Sequence, residues 1–160
     1  MSHRRLYYAL FYDRQYDPAI DEAQQTLKLA PALWVPQYFI ALCLIMKNNP
    51  QEAQRYLNLL PPDLTVRLAG EAIVAGRLGD RKRSDQKLDQ LRSVYGDAAS
   101  YQFAQAYAQR GEADKAFAAL QRGLEVNDPG LNTLRVDPLF DPVRDDPRFE
   151  ALLKSLDTAD

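Results

Sequence analysis

Residues 111–128 read GEADKAFAALQRGLEVND. The stretch opens on a turn glycine, sets a small residue at Ala116, and places Leu120 four positions later on the same helical face. Three other stretches have the same form. YDPAIDEAQQTLKLAP (16–31) carries Ala19 and Ala23, NPQEAQRYLNLLP (49–61) carries Ala53 and Leu57, and GDRKRSDQKLDQLRSVYG (79–96) carries Ser84 and Leu88. The four small residues are separated by 34, 31 and 32 residues, and self-similarity at such a period signals a repeat architecture. Twelve positions before each lies a second small residue, Ala41, Ala72 or Ala104, with Tyr7 the exception. One position earlier come Leu6, Ile40, Glu71 and Phe103. The chain therefore reads as helix, short turn, helix, four times over.

Two helices joined by a tight turn approach closely only where their side chains are short, and alanine allows this without weakening either helix. The turns carry matching chemistry. Asn49 is placed to cap a helix with Pro50 at its first position and Glu52 reaching back as a capping box, and Asp17-Pro18 is placed to open another. Gly79 and Gly111 supply the left-handed residue that ends the preceding helix.

In these phased residues the chain resembles the tetratricopeptide repeat (TPR) family. Ala19, Ala53 and Ala116 match the alanine of that family's second helix, Ala41 and Ala104 the small residue of its first, Tyr107 its aromatic and Pro31 its closing proline, with Pro61 near the next. The family's first-helix tryptophan is absent from its expected places, Ser84 replaces an alanine, and the third repeat lacks the aromatic. The resemblance implies an all-α, right-handed α-solenoid of about four helix pairs. The expected repeats span about 1–33, 34–63, 64–96 and 97–128, with a C-terminal cap over 129–160, all in one domain. The ending DPGLNTLRVDPLFDPVRDDPRFEALLKSL (128–156) is similar to that of bacterial multidomain TPR proteins, in which the repeats follow a winged-helix, cyclase or kinase domain. This implies a bacterial regulatory or sensory module.

Composition excludes several other classes. A formal net charge of −2 exerts no general pull on nucleic acid or anionic membrane. The apolar run YFIALCLIM around the single cysteine, Cys43, is too short to span a bilayer, and Cys43 reads as a small buried hydrophobe. MSHRRLYYALFYDRQYD has no uninterrupted apolar core of the secretory kind. A cytoplasmic setting is expected, or a periplasmic one if the chain is the C-terminal part of a membrane-anchored regulator.

No catalytic constellation is complete. His3 is the only histidine, so imidazole bases and nucleophilic triads lack their central group. Gly70, Gly76 and Gly79 fit neither the phosphate-loop nor the dinucleotide spacing. The basic run with Arg77, Arg81, Lys82, Arg83 and Lys87 is interleaved with Asp80 and Asp85 and carries no aromatic platforms, so it reads as a solvated turn and helix start. No enzyme activity, cofactor or metal is expected. An enzyme of hydrolase type is the most distant alternative.

The aspartates of RVDPLFDPVRDDPRFEALLKSL (135–156) invite a metal or acid-catalysis reading, but the calcium-loop pattern is absent. Each Asp-Pro reads instead as an N-cap followed by a first-turn proline: Asp137-Pro138, Asp141-Pro142 and Asp146-Pro147. Leu139, Phe140 and Val143 are expected to plug the open end of the fourth repeat, and Phe149, Leu152, Leu153 and Leu156 to dock the last helix. Arg135, Arg144 and Arg148 are expected to pair with nearby acids.

By analogy with the family, the first helix of each pair lines a concave groove. The inward positions are Tyr8, Phe11 and Tyr12, then Tyr38, Leu42, Ile45 and Met46, then Ile73 and Arg77, then Tyr101, Gln105 and Gln109. The groove should be aromatic at its N-terminal end and polar at its C-terminal end. Residues 36–47 are apolar nearly all round, so both faces of that helix need cover. A partner peptide or helix, a second copy of the chain, or an upstream repeat are the three coverings. The expected function is non-catalytic recognition of a protein or peptide partner, with self-association as the alternative.

Overall fold

Eight helices in four hairpins precede a C-terminal segment that turns back across them. The computed structural model describes residues 3–158, with the backbone alone for residues 3–5. Its helices are α1 (His3–Tyr12), α2 (Tyr16–Leu29), α3 (Trp34–Met46), α4 (Pro50–Leu57), α5 (Thr65–Arg77), α6 (Arg81–Tyr95), α7 (Ser100–Gln109), α8 (Ala113–Glu125) and α9 (Pro147–Asp157). Short 3-10 segments occupy Gly96–Ala99, Pro129–Thr133 and Pro138–Val143. There is no strand among the described residues, and the fold is all-α. The side chain of His3 lies outside the described residues.

The hairpins share one turn. Each has three linking residues, and the left-handed position falls at Arg14, Asn48, Gly79 and Gly111, with the 34, 31, 32 spacing of the small residues. In every turn the next residue's N–H returns to a carbonyl five positions back: Gln15 to Leu10, Asn49 to Leu44, Asp80 to Ala75 and Glu112 to Tyr107. This Schellman closure satisfies the carbonyls at the end of the first helix. Gly79 and Gly111 adopt the conformation at no steric cost, whereas Arg14 and Asn48 hold it under the constraint of the closure.

The small residues sit where the helices meet. Ala19, Ala53, Ser84 and Ala116 are buried, as are Tyr7, Ala41, Ala72 and Ala104. Ser84 makes use of its extra atom by donating to the Ala72 carbonyl of the facing helix at 2.8 Å. Asn49 caps α4 through the Glu52 N–H, but the Glu52 carboxylate pairs with Arg55 rather than reaching back. Asp17 is not a cap. Helix α2 begins at Tyr16, and Asp17 pairs with Lys47 of the next hairpin.

The odd-numbered helices touch in sequence, α1 to α3, α3 to α5 and α5 to α7, and so form a continuous layer. One apolar core runs through the first three hairpins and takes Ala99, Phe103 and Ala106, and a second joins α7, α8, the last two 3-10 segments and α9. No residue of α3 is exposed, because α1, α2, α4 and α5 all pack against it. Trp34, Val35 and Tyr38 on its partly open face are half-buried and pack against the first core.

The C-terminal segment corrects the expected cap. Rather than only plugging the fourth hairpin, Pro138–Val143 lies along α7 and reaches the first hairpin, where Asp141 pairs with Arg14 across 127 residues of sequence. Leu139 enters the larger core while its neighbour Phe140 enters the smaller one, so two adjacent side chains join the two cores. Asp137 and Asp146 are N-caps, accepting from the N–H groups of Leu139 and Arg148. Asp141 is not, since Pro142 lies inside the same 3-10 segment. Arg135 pairs with Asp157, Arg144 with Asp141, and Arg148 with Asp146 and Asp114.

Candidate functional site

The layer of odd-numbered helices and the returning segment enclose a cavity of about 240 Å³. Seven of the twelve groove positions line it: Tyr8, Phe11, Tyr12, Tyr38, Leu42, Tyr101 and Gln105. The other five lie elsewhere. Ile45 and Ile73 are buried in the core, because the helices that carry them are packed on several sides. Met46 packs against that core. Arg77 donates to the side-chain oxygens of Asn48 and Gln109, and Gln109 donates to the Leu139 carbonyl at 2.7 Å. These last two residues are engaged by the chain itself.

Sequence reasoning missed Trp34, Gln102, Thr133 and above all Asp137, which also line the cavity. Trp34 begins α3 rather than preceding it, which brings the only tryptophan of the chain to the cavity wall. Asp137 was read only as a cap. One sequence signal bore on it: Tyr101, Gln105 and Gln109 form a polar stripe on α7, and a buried polar stripe needs polar partners.

The aromatic wall is organised around Phe39. Its ring centroid lies 4.2 Å from that of Tyr8, 5.4 Å from those of Tyr7 and Phe11, and 5.7 Å from that of Tyr38. The Phe11 and Tyr38 contacts are edge-to-face, an arrangement that sets ring hydrogens against a neighbouring π face. Tyr8, 37% exposed, stands at the rim.

The opposite wall is organised around Asp137, which is only 2% exposed. One carboxylate oxygen accepts from the Tyr101 hydroxyl and the Gln105 amide, each at 2.8 Å, and the other accepts from the Leu139 N–H at 2.9 Å. Burial pushes the carboxyl above its ordinary range, against the opposing effect of those three hydrogen bonds. The tyrosines facing it respond in the same sense. Burial, and then the Asp137 charge, push the Tyr12 phenol up to about 12, and raise Tyr38 and Tyr101 as well. Gly130 fits here for a steric reason: a Cβ on it would stand 2.4 Å from the Tyr101 ring.

Burial pushes the thiol of Cys43 up to about 12, so it stays protonated at neutral pH. In the acidic stretch Asp141 pairs with Arg14 and Arg144 and Asp146 caps α9, and among the described residues no group of three or more His, Cys, Asp or Glu is placed to hold a metal. No described helix is long and apolar enough to cross a membrane. A second cavity of about 250 Å³ lies between α6, α7 and α8, but its cations already have partners. Lys115 pairs with Glu112 and Arg122 with Asp97 and Glu125, while Arg92 lies over the Phe103 ring. Comparison with protein-family profiles finds no match to the chain, and comparison with curated proteins finds none either.

Proposed function

We propose that the chain is a non-catalytic recognition module of TPR type, part of a regulatory or sensory protein, which holds a protein or peptide segment at the aromatic cavity. The observation that carries this reading is the convergence of α1, α3, α7 and the C-terminal segment on one cavity with aromatic walls. Aromatic side chains contribute large contact areas at low entropic cost, and concave apolar sites with a few fixed polar groups are where ligands bind.

Self-association through α1 and α3 is the second reading, since Tyr8 of α1 is exposed while every residue of α3 is buried or half-buried. Selection of a peptide library on the immobilised chain tests recognition. Selected peptides should lose binding to Tyr38→Ala while the circular dichroism of that variant stays helical. Undiminished binding to the variant would contradict the cavity as the site. Tyr101 is unsuitable for this purpose, because its hydroxyl anchors Asp137 and its loss would disturb the fold.

A further inference from the structure

Asp137 is the only charged residue that lines the cavity among the described residues. The nearby cations do not neutralise it from within. Arg14 and Arg144 both bond to Asp141, and Arg144 also donates to the Asp137 main-chain carbonyl at 2.8 Å, but neither lines the cavity wall. An ionised carboxylate accepts about four hydrogen bonds. Three are made, two on one oxygen and one on the other, so the Leu139-bonded oxygen keeps a free acceptor site. Lining the same cavity are the rings of Tyr8, Tyr12, Trp34 and Tyr38, and aromatic π faces are electronegative.

We propose that the cavity is a socket for one arginine side chain of the protein partner. The proposal rests on the recognition reading above and names the chemistry recognised. A guanidinium is weakly hydrated, stacks flat on aromatic rings and donates in several directions, so it suits a small aromatic cavity better than a strongly hydrated point charge. Its charge offsets that of Asp137, and its donors match the remaining acceptor site of that carboxylate and the Gln102 amide oxygen. A volume of about 240 Å³ suits one side chain rather than a larger ligand.

The test uses a matched pair: blocked arginine (N-acetyl-arginine methylamide) and blocked citrulline, which has nearly the same shape and no charge. Trp34, as the sole tryptophan, reports occupancy through its emission. The arginine derivative should produce a saturable change, with citrulline about thirtyfold weaker, as expected for a desolvated cation–π contact of roughly 2 kcal/mol. Asp137→Asn should erase the preference, with circular dichroism as the check on folding. Tyr38→Leu keeps an apolar wall, removes one π face, and should weaken arginine alone. Equal affinity for the two derivatives overturns the arginine socket and leaves the recognition reading standing. Absence of binding by either, or unchanged arginine affinity in Tyr38→Leu, also overturns it, while the recognition reading is then decided separately by the peptide selection.

Discussion

The two walls of the cavity are held in place by different forces. On the side of α1 and α3, Tyr8, Phe11 and Tyr38 are positioned by ring packing around Phe39. On the side of α7 and the 3-10 segments, Tyr101, Gln105 and Asp137 are positioned by hydrogen bonds to one another. Apolar packing is non-directional, so the first wall tolerates small adjustments to an occupant. Buried hydrogen bonds are directional and costly to leave unmade, so the second wall keeps a fixed shape and a fixed charge. One wall is therefore adjustable and the other fixed.

The largest expected effect lies on the apolar wall. Phe39→Ala removes the ring around which five others pack and should lower stability by about 3–5 kcal/mol in denaturant titration. Asp137→Ala should follow at about 2–3 kcal/mol, because it leaves the Tyr101 hydroxyl, the Gln105 amide and the Leu139 N–H without their acceptor. Asp146→Ala removes a cap of the same Asp-Pro type at an exposed site, and its destabilisation should be clearly smaller in the same titration. If the two aspartates prove equivalent, the second wall is ordinary helix capping and the contrast between the walls disappears.

The smallest effect is the dependence of arginine binding on pH. Burial raises the carboxyl of Asp137, so it is protonated over a wider acidic range than an exposed aspartate near about 3.9. The ionised form attracts the cation, so affinity should rise with pH through that range and then level. The other groups facing Asp137 do not titrate there. Tyr12, Tyr16, Tyr38 and Tyr101 are all raised, and so is Arg14. Although burial alone would raise Asp141, hydrogen bonds from Arg14 and Arg144 hold it below its ordinary value. Affinity falling as pH rises would contradict the assignment of the charge to Asp137.

The hairpins were legible because their signals are local. Ala53, Gly79 and Gly111 specify a close contact or a turn within a few residues of themselves, and each does so in the structure. The returning segment was not legible, because the Asp141–Arg14 pair joins residues 127 apart and neither residue alone implies the other. Asp137 shows how a correct local reading can be incomplete. It does cap a helical turn, yet the same carboxylate also receives Tyr101 and Gln105 and supplies the charge of the cavity. Ile45 and Ile73 show the opposite error, since a family's groove register placed on this chain assigns to the surface two residues that the core takes.

The most direct test of recognition at this cavity is an amide and indole NMR titration with a peptide selected on the chain. The account predicts that the shifted signals cluster at the Trp34 indole, Gln102 and Gly130, spanning both walls. Shifts confined to the second cavity around Arg92, Tyr107 and Lys115 would contradict it.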